Sequence, residues 1–160
     1  MEISIRQPEI EDGKQIWSLI KHSGNLDLNS EYCYFMLSDI FGKQCALACS
    51  EENEILGYAS CLPRPTSPKV LFVWQICVDE KAQKHGIAKK LLNFIIQNQE
   101  AKVDEIQATI SGSNIPSQTL FKSLAKDYKA KINKEIYIQA QNFSNGHESE
   151  FIYKIEKLKY

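Results

Sequence analysis

Val70-Leu71-Phe72-Val73-Trp74-Gln75-Ile76-Cys77-Val78 is an almost unbroken apolar run, followed by the polar segment Asp79 to His85 and then by Gly86-Ile87-Ala88. Such a run reads as a strand buried on both faces. From Gly86 to about Gln99, the residues Ile87, Ala88, Leu91, Leu92, Ile95 and Ile96 follow the 3.6-residue period of an amphipathic helix. Val103 to Ile110 reads as a strand again. Strand, long helix, strand is a βαβ unit, and its two strands lie parallel.

The flanking segments extend this unit. Met1 to Gln7 alternates through Ile3 and Ile5 as a first strand, and Pro8 opens a helix closed by Ser23-Gly24. After the loop Asn25 to Ser30, a second helix runs from Ser30 to about Phe41 and stops at Gly42. Gln44 to Ser50 and Ile55 to Leu62 form a hairpin, and Pro63, Pro65 and Pro68 crowd the loop that follows. Past the central unit, Ser113-Asn114-Ile115-Pro116 starts another helix. Two strands follow, at about Ala130 to Gln139 and Glu150 to Ile155. The order is β-α-α-β-β-β-α-β-α-β-β. The fold class is α/β (α+β): a mixed, mostly antiparallel central sheet flanked by helices, in one domain over residues 1–160.

Composition bounds the function. The chain has 160 residues with 43% hydrophobic and 24% charged, and its formal net charge is −1. That balance is ordinary for a globular domain and lacks the footprint of a general nucleic-acid binder. No apolar run approaches a membrane span, and the N-terminus does not read as a signal peptide. The cysteines Cys33, Cys45, Cys49, Cys61 and Cys77 are odd in number and form no Cys-x-x-Cys. They read as core side chains in a reducing cytoplasm, and no metal is expected.

The chemistry centres on Gln83-Lys84-His85-Gly86-Ile87-Ala88, between the buried strand and its helix. A glycine there lets backbone amides approach an anion at a helix N-terminus, with Lys81 and Lys84 nearby. The segment is neither a P-loop nor a dinucleotide fingerprint. Gln-x-x-Gly-x-Ala after such a strand, in this element order, resembles the GNAT acetyltransferases across nearly the whole chain. The resemblance implies a strand pair splayed at a bulge, with acetyl-CoA in the gap. Backbone at Ile76, Cys77 and Val78 would hold the pantetheine arm. Gln83, Lys84, His85, Gly86, Ile87 and Ala88 would form the pyrophosphate loop, and Asn114 would contact CoA. Many members place a tyrosine acid seven residues after that asparagine, where this chain has Phe121.

Four further segments are Leu26-Asp27-Leu28-Asn29-Ser30-x-Tyr32, Phe72-Val73-Trp74-Gln75, Ser113-Asn114-x-x-Ser117-x-x-Leu120-Phe121 and Gly146-His147-Glu148-x-Glu150. Together they resemble one branch of the family, the L-2,4-diaminobutyrate acetyltransferases of ectoine biosynthesis. This resemblance implies acetylation of the 4-amino group, and a cytoplasmic homodimer with no nucleic-acid or membrane partner. A short diamino acid needs carboxylates for its ammonium groups, donors for its carboxylate, and a base for the amine that attacks. Asp27, Glu148 and Glu150 can supply carboxylates, Trp74 a ring face, and Asn29, Tyr32 and Gln75 polar orientation. Glu150, then Glu148, is the expected base, with His147 in support. Trp74 and Gln75 can share a face only if a bulge intervenes.

Plainer roles stand beside these. Asp27 and Asn29 can cap the second helix, Trp74 and Tyr32 can be packing, and His147-Glu148 can be a solvated charge cluster. Other readings of the whole chain are a GNAT enzyme for another small amine, a protein N-terminal acetyltransferase, and a non-catalytic acyl-CoA-binding module.

Overall fold

The computed structural model describes residues 1–160. Its strands are β1 (Ile3–Arg6), β2 (Cys45–Ser50), β3 (Ile55–Arg64), β4 (Ser67–Val78), β5 (Glu105–Ser111), β6 (Lys131–Ile138) and β7 (Glu150–Glu156). The helices are α1 (Gly13–Ser23), α2 (Glu31–Ile40), α3 (Ile87–Gln97) and α4 (Ile115–Asp127). The elements come in the expected order, and the seven strands follow the sheet order β1-β2-β3-β4-β5-β7-β6. β4 and β5 pair in parallel, while β1–β2, β2–β3, β5–β7 and β6–β7 are antiparallel. The reading of a mixed sheet with one parallel pair therefore holds. The placement of β7 between β5 and β6 has no local signal in the sequence.

Two compact units divide the chain: residues 1–62 with 74–102, and residues 63–73 with 103–160. In the first, Ile16, Leu19 and Ile20 of α1 and Tyr34 and Leu37 of α2 pack on Cys45, Leu47 and Cys49 of β2, with Tyr58 and Cys77. These are the inward positions of a period-2 strand and the apolar stripe of two helices. α3 covers the other face of β2 and β3. A Cβ built on Gly57 would stand 3.1 Å from Ile87 Cγ2 and 3.3 Å from Leu91 Cδ1, so glycine there lets the helix approach closely.

An Arg6–Asp12 fork ties β1 to the turn before α1, at 2.8 and 2.9 Å. The Asp12 carboxylate is held below its ordinary range, chiefly by its hydrogen bond from Arg6. Other ion pairs, Lys43–Glu100 and Lys81–Glu54, stand exposed on the surface. In the second unit α4 packs on β6 and β7 through Phe121, Leu124 and Ala125. Tyr128 meets Tyr160 edge-on, and the Tyr160 hydroxyl donates to the Val103 carbonyl at 2.8 Å.

Four local expectations are corrected. Burial alternates along β4: Leu71, Val73, Gln75 and Cys77 are buried, whereas Phe72, Ile76 and Val78 are half-buried and Trp74 is exposed. The apolar run thus marks one core face and one partly open apolar face, not two buried ones. The alternation passes through Trp74 and Gln75 unbroken, so the two side chains point to opposite faces.

The prolines do not form a long loop. β3 continues to Arg64 and β4 begins at Ser67, leaving Pro65-Thr66 as the turn. Pro63 and Pro68 sit near strand ends, where a fixed φ suits extended backbone. Before α1, residues Ile10–Asp12 form a 3-10 turn, and the α-helix starts at Gly13. Gly42 does not terminate α2. The helix ends at Ile40, and Gly42 opens a 3-10 turn packed against Gln7 and Pro8.

Candidate active site

The predicted site residues fall into two groups, one in each unit. In the first, Gln75 is 5% exposed and hydrogen-bonded at both ends of its amide. Tyr34 donates its hydroxyl to Gln75 Oε1 at 3.1 Å, and Gln75 Nε2 donates to the Asp27 carbonyl at 2.8 Å. The Gln75 backbone N–H donates to Ser60 Oγ at 3.3 Å. Sequence reasoning brought Asp27 and Gln75 to one site, and the structure joins them directly. Beside them the Asn29 side chain is half-buried, and its Nδ2 donor is buried without a partner. The side chain of Tyr32, on the first turn of α2, is 76% exposed, and Trp74 is 38% exposed. Neither is in the core.

The loop after β4 is held from within. Asp79 Oδ1 accepts from the Lys81 backbone at 3.0 Å, Gln83 Nε2 donates to the Val78 carbonyl at 3.3 Å, and the His85 ring Nδ1 lies 2.8 Å from the Gln83 carbonyl. Lys84 at φ 66° and Gly86 at φ 70° are both left-handed. That conformation strains a lysine and suits a glycine. A Cβ on Gly86 would meet nothing within 4 Å, so the backbone there is open to a ligand. The first turn of α3 has no side-chain cap and no acidic residue. The uncapped N–H groups of Ile87 and Ala88 and the positive dipole end make a seat for an anion, which fits a pyrophosphate. Of the two expected cations, Lys81 is already paired with Glu54 at 2.5 Å.

In the second unit the parallel ladder covers Val70–Val73 with Glu105–Ala108 and ends there, although β5 continues to Ser111. Ser111 is paired with Glu150, the first residue of β7. Glu150 Oε2 is buried without a hydrogen-bond partner, and Oε1 lies 3.7 Å from His147 Nε2. Burial pushes this carboxyl above the usual range; His147 pulls it down, and the charge of Glu148 adds to the rise.

His147 Nδ1 lies 2.6 Å from the Glu148 carbonyl. A carbonyl only accepts, so Nδ1 carries the hydrogen and Nε2 is turned toward Glu150. Phe143 stacks on this imidazole with ring centroids 4.0 Å apart. Glu148 is differently placed. Its Oε1 accepts from the Ser113 backbone at 3.2 Å, and its Oε2 accepts from the Ser113 hydroxyl. The carboxylate thus closes the turn into α4, where Asn114 caps the helix by accepting from Ser117 N at 3.2 Å. Phe121, at the position many relatives give to an acidic tyrosine, is 2% exposed and supplies no proton.

Sequence reasoning missed the supporting partners. Phe143, Ser60 and Tyr34 lie outside the quoted motifs. The pairing of Ser113 with Glu148 spans a sequence separation of 35 and leaves no local trace.

Comparison with known proteins adds the rest. Residues 14–125 match the model of the acetyltransferase (GNAT) family. The L-2,4-diaminobutyric acid acetyltransferase of Virgibacillus pantothenticus is 36% identical over 154 residues, covering 95% of this chain and 96% of the relative. That of Halomonas elongata is 35% identical over 152 residues, covering 94% and 79%. A solved structure of the diaminobutyrate acetyltransferase of Paenibacillus lautus, in complex with L-2,4-diaminobutyric acid and coenzyme A, superposes with a TM-score of 0.90. It is 37% identical, over 98% of this chain and 95% of that one. The anion seat at Gly86, the paired Asp27 and Gln75 and the unpartnered Oε2 of Glu150 thus sit in a chain that belongs to the GNAT acetyltransferase family and, within it, to the diaminobutyric acid acetyltransferases.

Proposed function

We propose that this chain, as one acetyltransferase domain, transfers acetyl from acetyl-CoA to the 4-amino group of L-2,4-diaminobutyrate. The products are N4-acetyl-L-2,4-diaminobutyrate and CoA, a step of ectoine biosynthesis. The observation that carries this reading is the likeness over nearly the whole chain to the Paenibacillus lautus enzyme, whose structure holds that amino acid and coenzyme A.

Acetyl-CoA supplies an activated acyl carbon with a thiolate leaving group. The amides of Lys84 to Ala88 bind its pyrophosphate, and backbone around Ile76, Cys77 and Val78 holds the pantetheine arm. Gln83 and His85 brace the loop, and Asn114 contacts CoA from the start of α4. The Asp27 carboxylate takes the α-ammonium of the amino acid. The unpartnered Nδ2 of Asn29 donates to its carboxylate. Tyr32 and Trp74 orient the rest, the indole by its ring face.

The 4-amino group is mostly ammonium near neutral pH and must lose a proton before it attacks. Glu150 Oε2, buried and unpartnered, is the acceptor of that proton. His147 sets the position of this carboxylate, and Glu148 holds the neighbouring turn. The amine nitrogen bonds to the thioester carbon, a backbone N–H on β4 stabilises the oxyanion, the C–S bond breaks with its electron pair on sulfur, and the extra proton on the new amide nitrogen passes to that thiolate, giving CoA as the thiol. A thiol pKa of about 8.5 makes that thiolate a tolerable leaving group without an acid at Phe121.

The five cysteines are all free thiols, four of them buried, which supports a reducing cytoplasm as the setting. We extend the reading to a homodimer on the family's pattern, which light scattering at working concentration tests. The function itself is tested by incubating the protein with acetyl-CoA and L-2,4-diaminobutyrate and identifying the product by NMR. The 4-acetyl isomer is expected; a 2-acetyl product, or none, overturns the assignment.

A further inference from the structure

Gln75 reads from sequence as a substrate ligand, yet its polar groups already have protein partners. Its amide oxygen accepts from Tyr34, its amide nitrogen donates to the Asp27 carbonyl, and its backbone N–H is taken by Ser60. Tyr34 and Ser60 are both 0% exposed, so the bonds to them lie in the core, out of competition with water, while the bond to the Asp27 carbonyl is part-buried at the edge of that core. We propose that Gln75 is a positioning residue. Its buried amide, seated against Tyr34, fixes the backbone of Asp27 and so sets which diamine the loop between α1 and α2 accepts. This rests on the diaminobutyrate reading above.

The chemistry of the amide makes the arrangement directional. A carbonyl such as that of Asp27 can only accept, so it requires the NH2 end of the glutamine. The Tyr34 hydroxyl donates to the other end, so both ends of the amide are held in that orientation. Tyr34 is itself wedged edge-on against Tyr58, with ring centroids 6.2 Å apart. Residues 25–30 between the two helices form no regular structure, and the side chains of Asp27 and Leu28 are exposed. The shape of such a segment follows from its anchors. Selecting among diamino acids that differ by one methylene requires a fixed distance between the grip on the α-ammonium and the amine that reacts. An anchor on the backbone of the gripping residue controls that distance without touching substrate.

Gln75→Met should raise KM for diaminobutyrate about tenfold, the worth of roughly one hydrogen bond, with KM for acetyl-CoA unchanged. The preference for diaminobutyrate over ornithine should fall. In an Asp27→Asn background the same change should add nothing further to KM, because the grip that the anchor aims has already gone. A drop in kcat with both KM values unchanged, or full additivity with Asp27→Asn, overturns the proposal. Tyr34→Phe carries the same test if Gln75→Met does not fold: it should shift KM in the same direction by less, and an unchanged KM overturns the proposal.

Amide hydrogen exchange across residues 25–30 reads the anchor without turnover. Faster exchange is expected in either variant, and unchanged exchange overturns the proposal. A wild-type protein that ignores diaminobutyrate, with variants that still exchange faster across residues 25–30, would sink the function assignment and leave the anchor standing, so the two failures are distinct.

Discussion

Gln75 and Glu150 are both polar side chains drawn out of water, and they are treated in opposite ways. Gln75 has a partner for each end of its amide and for its backbone N–H. Glu150 has an oxygen, Oε2, with no partner at all, and its other oxygen stands 3.7 Å from an imidazole. A buried group with its hydrogen bonds made fixes a shape. A buried group without them raises the energy of the fold and keeps an acceptor free for something that arrives later. The contrast sorts site residues by what their hydrogen bonds leave free.

The sharpest way to break this contrast is to neutralise the unpartnered oxygen. Glu150→Gln should lower kcat by about 10²- to 10⁴-fold, the usual worth of a positioned base. The same change should raise the melting temperature. The folded carboxyl has its pKa raised, so the fold favours its protonated form. The ionised form then costs stability above that pKa, and a neutral amide escapes the cost. In the wild-type protein kcat should fall as pH drops through this raised pKa, at a higher pH than an ordinary glutamate would give. Glu150→Gln should lose that limb of the profile. A variant with full activity, or with an unchanged acid limb, would remove Glu150 from the base role.

Next in size is Asp27→Asn, which keeps the loop backbone and its bond to Gln75 while removing the charge. KM for diaminobutyrate should rise roughly 10- to 100-fold with kcat within a few-fold, the range of a lost charge-assisted hydrogen bond. Unchanged steady-state constants would return Asp27 to a turn-forming role. Gly86→Ala should have a smaller effect, confined to the cofactor. A side chain at φ 70° costs about 1–2 kcal/mol, so KM for acetyl-CoA should rise by roughly tenfold while KM for the amine stays put.

The smallest effect belongs to a fully partnered pair remote from the chemistry. Asp12→Asn should lower the melting temperature by a few degrees at neutral pH and leave both KM values alone. Its folded pKa is depressed, so its contribution is present above the unfolded value and lost as pH falls through the folded one. The difference in melting temperature between wild type and variant should therefore close in strong acid.

Much of this was legible in the chain, and what was not has a common cause. Strand and helix signals are local, so the period-2 and period-3.6 runs placed every element of the order β-α-α-β-β-β-α-β-α-β-β. Gly86 was legible because its local need, a left-handed residue at a helix start, is written in one position. The insertion of β7 between β5 and β6 was not, because strand order is a matter of distant pairing. The face assignment of β4 failed for a similar reason: an apolar side chain on a partly open face looks the same in sequence as one in the core. At the site, the sequence singles out Asp27, Gln75, His147 and Glu150 as polar groups, and the structure joins Asp27 to Gln75 and His147 to Glu150. Their division into anchors and free acceptors depended on Tyr34, Ser60 and Ser113, whose hydroxyls carry no pattern along the chain.

Dissolved salt reaches a folded chain without entering its core, and the ion pairs described above decide how much it can change. Lys43–Glu100 and Lys81–Glu54 stand in water. There, raising ionic strength from about 0.1 M to 1 M shortens the reach of a charge from about 10 Å to 3 Å, and such pairs contribute little at the outset. The Arg6–Asp12 fork differs in that its carboxylate is largely out of solvent, where salt screens a charge much less. A formal net charge of −1 leaves little overall repulsion for electrolyte to relieve. Concentrated salt should therefore pass the fold by. Where it is felt, it should be felt in the capture of a charged amino acid by exposed Asp27.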